Sequence, residues 1–434
     1  MIEKKEQSKM DKIISLCKRR GFVFPGSEIY GGLAGTWDYG HYGSQMAYNI
    51  KELWWRHFVR EREDMLSVTT PTLMPEAVWR ASGHLDGFTD PLVECKKCHH
   101  RFRADQLEDK RKCPDCGGEL DEEKVFNLLL PVALGSVEGR SNLAYLRGEI
   151  AQGMFVNFKN IVDTMHPKLP FGIAQIGRAY RNEISPRDFL FRVREFDLME
   201  LEYFVRPNEW ERYFEMWRKE IWRWIERVGI DKNSVFEKEV PEDERAHYSK
   251  RTIDFEFDYP FGRKELYGLA YRTDYDLKNH KLDYYDENSP DGKKVIVPHV
   301  VEPTFGHGRT MLAVLLSSYK EEDDRIILSL KPEIAPVKIA VFPLLRNKEG
   351  LVKKAKEIYK ILREEFYDVE FDDRGNIGKR YYSQDEIGTP YCITIDFKTL
   401  EDDTVTIRER DTANQERVEV KNLLKIFKER LGLK

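Results

Sequence analysis

The 434-residue chain contains no apolar run that approaches the length of a membrane span, so we expect no membrane association. Its first twelve residues, MIEKKEQSKMDK, are charged and hold no apolar segment, which argues against a secretory signal and favours a cytoplasmic protein. The chain also lacks a net positive charge, since its formal net charge is −5. Any contact with nucleic acid must therefore use local basic patches. The sequence shows no internal repeat and no low-complexity tract.

Cysteine is scarce, with six in the chain, and four of these form one pattern of two Cys-x2-Cys pairs separated by 14 residues. Each pair makes a tight turn that directs two thiolates at one point, and two such turns supply tetrahedral sulfur coordination. Zinc is favoured over iron, in a structural role, because four protein ligands leave no open position. Four reduced thiols without a metal are the alternative. The predicted ligands are Cys95, Cys98, Cys113 and Cys116.

The length predicts two to three domains, and 41% hydrophobic residues are enough to build their cores. Helices are predicted over residues 10–21 and 44–63. Residues 125–334 are predicted to form a mostly antiparallel sheet with inserted helices, one of which is the Trp-rich helix 207–229. The two prolines of KPEIAP, residues 331–336, indicate a linker. Beyond it, alternating strands and helices predict a small α/β domain, with elements at 337–342, 349–365, 367–371, 376–386, 391–396, 403–408 and 420–431.

Residues 173–204 are the most informative segment. They read as two strands joined by a turn, with Arg181, Glu183, Arg192, Arg194 and Glu195 on one side. Such a row of cations and carboxylates suits a triphosphate and an amine, because arginine grips phosphate oxygens in pairs. A solvated sheet face with cross-strand ion pairs is the simpler alternative.

Within this segment, AYRNEISP followed by FRVREFDLMELE closely resembles motif 2 of class II aminoacyl-tRNA synthetases, specifically the glycyl type. Helix 44–63 and the strand ending at Pro71 resemble motif 1, the dimer-forming element, and residues 295–320 resemble motif 3. IGKRYYSQDEIGTPYCITID and TVTIRERDT resemble the family's anticodon-binding domain. The resemblance extends over nearly the whole chain, from GFVFPGSEIYGG to VTIRERDT.

The resemblance implies an α+β class II catalytic domain, an antiparallel sheet with helices, that carries an inserted zinc module and is followed by a C-terminal α/β anticodon-binding domain. The expected boundaries are 1–90 for the N-terminal catalytic part, 91–124 for the zinc insertion, 125–334 for the catalytic core and 335–434 for the anticodon-binding domain. The implied reaction attaches glycine to tRNA(Gly) through a glycyl adenylate, with ATP, Mg²⁺ and structural Zn²⁺, in a homodimer.

The resemblance also assigns nucleotide contacts residue by residue. Arg181 would contact the α-phosphate, Glu183 would meet the adenine amino group, and Phe196 would stack on the base. Arg309 corresponds to the motif 3 arginine, and Glu265 is a candidate metal ligand. Arg181, Arg309 and Glu265 are the implied catalytic residues. The residues implied to bind ATP are Arg181, Asn182, Glu183, Phe191, Arg192, Val193, Arg194, Glu195, Phe196, Glu265, Leu266, Gly306, His307, Gly308 and Arg309.

Glycine has no side chain to recognise, so its ammonium group and the space around its Cα must provide discrimination. The resemblance implies a cage of Glu149, Glu200 and Glu302 around the ammonium, although a structural ion pair is the ordinary explanation for any one such glutamate. Thr304 stands where the family has serine. The residues implied to bind glycine are Arg103, Glu149, Phe196, Asp197, Leu198, Met199, Glu200, Glu302, Thr304 and Gly306.

Several positions depart from the family pattern around this site. LRPETAQG reads LRGEIAQG, so that Gly148 and Ile150 replace proline and threonine. EPSxGxDR reads EPTFGHGR, with Gly308 in place of aspartate, and the tryptophan of GW-x-EL is Arg263. Two alternatives therefore stay open: a synthetase-like paralogue that binds nucleic acid without aminoacylation, and an enzyme that activates another small amino acid.

Overall fold

A computed structural model gives the structure of the protein and describes residues 8–135, 143–289, 292, 294–322 and 325–432. No helix within these ranges is both long and apolar enough to cross a membrane. The α-helices described are α1 Lys9–Arg20, α2 His41–Trp55, α3 Glu76–Ala81, α4 His84–Gly87, α5 Ala151–Val156, α6 Phe158–Met165, α7 Trp210–Val228, α8 Tyr275–Asn279, α9 His307–Ser318, α10 Glu349–Phe366, α11 Ile377–Ile387, α12 Phe397–Asp402 and α13 Leu423–Arg430.

The longest strands belong to the central sheet. They are β1 Val23–Pro25, β2 Trp37–Tyr39, β3 Met65–Ser67, β4 Leu73–Pro75, β5 Thr89–Glu94, β6 Arg101–Arg103, β7 Lys124–Asn127, β8 Leu130–Ala133, β9 Leu143–Leu146, β10 Phe171–Tyr180, β11 Glu195–Val205, β12 Val235–Glu239, β13 Arg251–Tyr259, β14 Gly262–Thr273, β15 Tyr284–Tyr285, β16 Val295–Ile296, β17 His299–Gly306, β18 Tyr319–Glu322, β19 Arg325–Leu328, β20 Ile339–Pro343, β21 Val369–Phe371, β22 Tyr391–Ile395, β23 Thr404–Glu409 and β24 Gln415–Glu419.

A seven-stranded sheet forms the centre of the protein, in the order β12-β13-β14-β17-β11-β10-β3. Its pairs are antiparallel except that of β10 with β3, which confirms the predicted, mostly antiparallel sheet. Side chains alternate between the two faces of a strand, so β11 sends Met199 and Leu201 into the large core and turns Leu198 and Glu200 to the other face.

Helices α2, α7 and α9 cover the core face of this sheet. The predicted Trp-rich helix is α7, whose apolar positions recur at helical spacing and bury Trp217 and Trp224 completely. It ends at Gly229, whose φ of 86° is left-handed and favours glycine. Because these helices pack one face, the polar residues of the opposite face are left to form a site.

The predicted N-terminal helices are confirmed with adjusted bounds. Helix α1 begins with a capping box at Ser8 and ends at Gly21, as the sequence indicates. The predicted helix over 44–63 is α2 followed by one π-helical turn, Arg56–Arg60, before strand β3. The extra residue in this turn changes which side chains face the core, and Phe58 is buried there between Trp54 and Trp217.

Motif 2 differs from the predicted hairpin in one respect. Its strands β10 and β11 pair from Phe171 with Phe204 to Tyr180 with Glu195, and residues 181–194 form a loop between them. Four of the five charged residues assigned to the hairpin face therefore lie in this loop. Asp188 and Phe189 both have positive φ there, so the chain turns back sharply after Pro186.

The C-terminal part contains a five-stranded sheet in the order β21-β20-β22-β23-β24, with α10 packed against it. Strand β20 is parallel to β21 and β22, and the other pairs are antiparallel. The predicted alternation of strands and helices is confirmed. Helix α12 and strand β24 are additional elements, of six and five residues, which are too short to stand out by periodicity.

Buried ion pairs join this C-terminal sheet to the central part of the protein. Asp385 of α11 is fully buried and accepts hydrogen bonds from Arg408 of β23 at 2.8 Å and from Arg325 of β19 at 3.3 Å. On the other side, the hydroxyl of Tyr42 donates to Glu370 at 2.8 Å. Side chains from α2 and β19 therefore hold the C-terminal part of the chain against the rest of the protein.

Candidate active site and metal centre

A cavity of about 380 Å³ opens on the polar face of the central sheet. This volume lies within the range of small-molecule sites. Of the residues predicted to bind a ligand, the cavity is lined by Arg103, Arg181, Glu183, Phe191, Arg192, Val193, Phe196, Asp197, Leu198, Glu265, Leu266, Thr304, Gly306, Gly308 and Arg309. Glu149, Asn182, Arg194, Glu195, Met199, Glu200, Glu302 and His307 do not line it.

Arg181 follows the end of β10 and is held over the cavity by three groups. Its Nε donates to the carbonyl oxygen of Gly148 at 3.1 Å. Its guanidinium lies between two rings, 5.1 Å from the centre of Phe88 and 5.2 Å from that of Phe196. This contact orients the cation before any ligand arrives, as the stabilisation of a developing negative charge requires.

Arg309, near the start of α9, also lines the cavity. Its Nη1 donates to the carbonyl oxygen and to Oε2 of Glu265, both at 3.0 Å. Its guanidinium stacks 4.4 Å from the ring centre of Phe191, whereas Phe196 contacts Arg181 instead. The aromatic ring that lies beside the motif 3 arginine is therefore Phe191.

Two carboxyl groups lie together beside Arg309. Burial and the neighbouring charge of Glu265 raise the pKa of Asp254 to about 7, while Arg309 holds the pKa of Glu265 below its usual range against the effect of burial. Oxygen donors of this type are the ligands that Mg²⁺ prefers, so the pair fits a magnesium ion carried in by a nucleotide.

Three predicted nucleotide contacts that lie away from the cavity have structural partners. Arg194 holds the motif 2 loop by donating to the carbonyl oxygen of Ala34 and, at 3.0 Å, to that of Glu183. Glu195 pairs with Arg178 at 2.5 Å. His307 is buried, and its Nε2 lies 3.1 Å from the carbonyl oxygen of Ala47. Its burial lowers the pKa of its imidazole to about 4.

A cluster of carboxyl groups lies deeper in the sheet, behind the cavity. Arg272 of β14 is 0% exposed and reaches Asp276 and Glu302 at 2.8 Å and Glu149 at 3.8 Å. Glu149 also lies 3.1 Å from Nε2 of His84. The charges of His84 and Arg272 lower the pKa of Glu149, although burial alone would raise it. The structure therefore brings the predicted glutamates together around a cation of the protein.

Glu200 and Glu202 belong to the same cluster but have few partners. Among the described residues, Oε2 of Glu200 and both carboxyl oxygens of Glu202 have no hydrogen-bond partner. Burial and the nearby charge of Glu302 raise the pKa of both groups well above the usual range. Several buried carboxyl groups around one arginine repel one another when ionised, and this favours the protonated form of Glu200 and Glu202.

The side chains of two predicted glycine-binding residues have other environments. The side chain of Met199 packs into the hydrophobic core on the opposite face of β11, so only its backbone atoms could contact a ligand in the cavity. Asp197 is engaged by Lys51 and by Arg178, whose Nε donates to it at 2.5 Å. Burial raises the pKa of Asp197, but the charge of Lys51 and the Arg178 contact together lower it to about 2.

The positions that depart from the family pattern fall into two groups. Gly148, Ile150 and Arg263 do not line the cavity. A Cβ on Gly148 would lie 2.7 Å from the ring of Phe88, Ile150 is buried in the core, and Arg263 pairs with Asp258 on the surface. The other two, Gly308 and Thr304, do line the cavity. The methyl group of Thr304 and the lack of a side chain at Gly308 therefore affect directly which ligand fits.

Sequence reasoning missed several residues of the site. Phe88 and Asp90 line the cavity from the stem of the metal module, where Asp90 pairs with Arg103 at 2.7 Å. No pattern in the sequence marks them. The sequence does mark Arg272, because a charged residue at the end of the otherwise apolar strand sequence LYGLAY indicates a buried charge. No such signal marks His84 or Tyr248, which lies 3.7 Å under Arg272.

The four cysteines predicted to bind a metal converge at one point, with their sulfur atoms all within 4.8 Å of one another. The separations of Cys95 from Cys116 and of Cys98 from Cys113 are 3.5 and 3.7 Å. Tetrahedral zinc with its usual sulfur distance needs about 3.8 Å. A disulfide would need sulfur atoms about 2 Å apart, so the geometry fits a four-sulfur metal site. The backbone N–H of Lys97 also donates to Cys95 at 3.4 Å.

Comparison with known proteins accords with this arrangement. Residues 138–319 match the tRNA synthetase class II core domain (G, H, P, S and T), and residues 338–430 match the anticodon binding domain. Glycine–tRNA ligase of Thermobifida fusca is 45% identical, over 98% of this chain and 98% of the relative. The ligase of Streptomyces coelicolor is 46% identical over 94% and 96%, and that of Clostridium acetobutylicum is 45% identical over 98% and 100%. These matches confirm the family and fold predicted from the motifs. The chain therefore belongs to the glycine–tRNA ligase family of class II aminoacyl-tRNA synthetases.

Proposed function

We propose that this protein activates glycine with ATP and transfers it to tRNA(Gly). The observation that carries the proposal is that one cavity holds Arg181 and Arg309 beside a buried carboxylate cluster. Anionic phosphates and a cationic amine need these two environments next to each other. The full-length similarity to glycine–tRNA ligases supports glycine as the amino acid.

ATP occupies the part of the cavity between the two arginines. Its base stacks on Phe191, and the Arg309 guanidinium, which lies 4.4 Å from this ring in the free protein, moves to the other side of the base. Phe191 thus takes the stacking role expected of Phe196, and the amino group of the base meets Glu183. Arg181 contacts the α-phosphate, with Arg192 close to the other phosphates. Support comes from the position of all five residues in the cavity wall and from the contact of Arg309 with Phe191. The other predicted nucleotide contacts do not touch the nucleotide with their side chains but support the loop and strand that do. They are Asn182, Arg194, Glu195 and His307.

Glu265, with Asp254 next to it, would hold Mg²⁺, and the ion would neutralise part of the negative charge of the phosphates. Ionisation of Asp254 at this site is favoured once a cation arrives, since its pKa of about 7 in the free protein reflects burial and the charge of Glu265. The two carboxyl groups therefore supply charge where the nucleotide brings the metal.

Activation joins the carboxylate of glycine to the α-phosphorus of ATP. A carboxylate oxygen forms the new P–O bond, and the bond to the bridging oxygen breaks so that pyrophosphate leaves with the electron pair. Arg181 stabilises the charge on the α-phosphate oxygens, and the cavity holds the two anions in line. A ribose hydroxyl oxygen at the 3′ end of the tRNA then bonds to the glycyl carbonyl carbon. The bond from this carbon to the phosphate oxygen breaks, so that AMP leaves with the electron pair and the hydroxyl proton is released.

The ammonium of glycine binds at the inner end of the cavity. Glu149, Glu200 and Glu302 lie behind it, and Thr304 and Leu198 occupy the wall where a larger side chain would extend. A methyl on Thr304, where the family has serine, narrows the space further. These features favour glycine over alanine or serine.

The remaining parts of the chain take the roles that the family suggests. Zinc binds at the four cysteines as a structural ion, and residues 91–124 form its module. Residues 1–90 and 125–334 make up the catalytic domain, and residues 335–434 bind the anticodon. The protein acts in the cytoplasm as a homodimer. Support for a dimer comes from exposed apolar side chains near motif 1, among them Ile29, Tyr30 and Tyr48.

ATP–pyrophosphate exchange with each of the twenty amino acids tests this function. We expect exchange with glycine alone, and its loss in Arg309→Gln but not in the matched surface variant Arg263→Gln. Exchange with alanine or serine instead would show a different substrate. A folded, metal-loaded protein that shows no exchange would favour the synthetase-like protein that binds nucleic acid without catalysis.

A further inference from the structure

A row of polar side chains crosses three strands beneath the cavity. Gln175 on β10 pairs in register with Glu200 on β11, which pairs with Thr304 on β17. Gln175 is fully buried and Glu200 is 3% exposed. Thr304 lines the cavity, so Gln175 lies two strands away from it, behind Glu200.

The amide of Gln175 has a defined orientation because a chain of hydrogen bonds ends on it. Nη1 of Arg147 donates to Oγ1 of Thr70 at 2.9 Å, and Oγ1 of Thr70 donates to Oε1 of Gln175 at 2.9 Å. Arginine can only donate, so Oγ1 of Thr70 accepts from Arg147 and gives its own hydrogen to the amide oxygen of Gln175. This direction leaves the NH₂ group of Gln175 on the other side.

Gln175 on β10 and Glu200 on β11 each carry one buried polar atom without a hydrogen-bond partner among the described residues, a donor on Gln175 and an acceptor on Glu200. Within the described ranges, Nε2 of Gln175 and Oε2 of Glu200 are buried and have no hydrogen-bond partner. A Cβ on Gly177 would lie 2.3 Å from Nη2 of Arg147 and 3.1 Å from Nε2 of Gln175, so two donors converge beside this glycine. Leaving a buried donor and a buried acceptor unpaired is costly, which indicates a state of the site in which they are used.

We propose that Gln175 is a positioning residue for glycine recognition, whose Nε2 donates to the carboxylate of Glu200 when that carboxylate holds the glycine ammonium. The proposal rests on the function proposed above and names a residue that does not touch the substrate. Thr70 and Arg147 act through Gln175 by fixing its amide.

The ionisation of Glu200 provides a readout that separates positioning from simple packing. Burial and the charges of Glu302 and Glu149 raise the pKa of Glu200, so its proton must leave when the ammonium binds. A donor stabilises the ionised form, and its removal raises the pKa further. The charged and titratable groups that face Glu200 are Glu202 of β11, Glu302 of β17, Arg272 of β14, Glu149 before α5, Arg181 after β10 and Arg147 after β9.

The experiment measures glycine-dependent ATP–pyrophosphate exchange from pH 6.5 to 8.5 in Gln175→Met, Thr70→Val and Thr70→Ser. A buried Thr–Gln pair in the C-terminal sheet provides matched controls, since Thr389 donates to Oε1 of Gln384 and both are buried. Gln384→Met and Thr389→Val therefore remove the same kind of buried hydrogen bond and change packing to a similar extent, but far from the cavity. Thermal unfolding shows that each variant is folded.

We expect Gln175→Met to raise KM for glycine about tenfold at pH 7, as for a lost hydrogen bond to a charged group, with kcat and KM for ATP unchanged. The defect should shrink as the pH rises, because the carboxylate then ionises without help. Thr70→Val should show a smaller change of the same kind, and Thr70→Ser should restore wild-type behaviour.

A KM defect that is independent of pH, or equal in the Gln384→Met and Thr389→Val controls, would overturn the proposal. So would a wild-type KM for glycine in Gln175→Met. If Gln175→Met fails to fold, Thr70→Val and Thr70→Ser carry the test alone. Absence of glycine-dependent exchange in the wild-type protein would overturn the proposed function itself, which distinguishes the two failures.

Discussion

Nη1 of Arg272 donates to Oε1 of Glu302 at 2.8 Å, and the side chains are 0% and 6% exposed. The same guanidinium binds both carboxylate oxygens of Asp276, at 2.8 and 3.0 Å. One cation of the protein therefore organises the carboxyl groups that the sequence suggests for glycine. The planar fork of arginine makes three such contacts at once, which the single ammonium of lysine cannot reproduce.

Replacement of Arg272 by methionine should destabilise the protein by about 3–5 kcal/mol, because it leaves Asp276 and Glu302 buried without their partner. Arg272→Lys should recover part of this loss. Urea unfolding checks both, and Arg263→Met on the surface serves as the control, with an expected change within about 0.5 kcal/mol. Equal losses at positions 272 and 263 would contradict the central role of the buried guanidinium.

Replacement of Glu202 by glutamine should change how stability depends on pH. The carboxyl of Glu202 ionises in the unfolded chain at about pH 4.3, its reference pKa, but burial and the charge of Glu302 raise its pKa well above that in the folded protein. Wild-type stability from this group is complete below the unfolded pKa and falls as the pH rises toward the folded pKa. Glutamine cannot ionise, so Glu202→Gln should gain stability relative to wild type by up to about 1.4 kcal/mol per pH unit between pH 5 and 8.

Urea unfolding at several pH values measures this difference. Glu195→Gln is the control, since Glu195 lies on the same strand with an exposed side chain and pairs with Arg178. A constant difference between wild type and Glu202→Gln across this range would mean that Glu202 is ionised in the folded protein.

Replacement of Phe191 by leucine should raise KM for ATP by about tenfold, because stacking of a base on an aromatic ring contributes about 1–3 kcal/mol. Phe196→Leu tests the alternative stacking position and should affect ATP less, since Phe196 contacts Arg181 and not Arg309. Exchange kinetics at saturating glycine give both values. A larger effect at position 196 would restore the stacking role first assigned to Phe196.

Removal of the metal should disturb the fold of residues 91–124 and also weaken substrate binding. Strand β5 carries Asp90 at the cavity and leads directly into Cys95, and β6 carries Arg103. We expect one zinc per chain by elemental analysis, and a higher KM for glycine or ATP in Cys113→Ser or after chelation. Cys17→Ala, at a cysteine buried in the main core, should retain the metal. Wild-type kinetics in a metal-free protein would show that the module does not support the cavity wall.

Much of the architecture follows from local patterns in the sequence. The spacing of the cysteines predicts their convergence, and the periodicity of α7 and the alternation of β11 predict which faces are buried. The C-terminal alternation of strands and helices predicts its sheet. In each case the signal lies within one segment, so side-chain periodicity and turn chemistry are sufficient.

The motif 2 prediction shows where local reasoning ends. Alternating charges were assigned to one face of a hairpin, but the strands stop at Tyr180 and resume at Glu195. The fold of the intervening loop places the ring of Phe191 against the guanidinium of Arg309 in α9. No periodicity within residues 181–194 specifies that contact.

The sequence by itself determined the family, the cluster of four cysteines and which charged residues are available for chemistry, because these depend on residue type and short spacing. Only the tertiary structure decided that Arg272 lies among the glutamates, that Asp90 and Phe88 close the cavity, and that Gln175 lies behind Glu200. These relationships depend on the register between strands that are distant in the chain. Register is set by packing across the whole sheet, and no single strand encodes it.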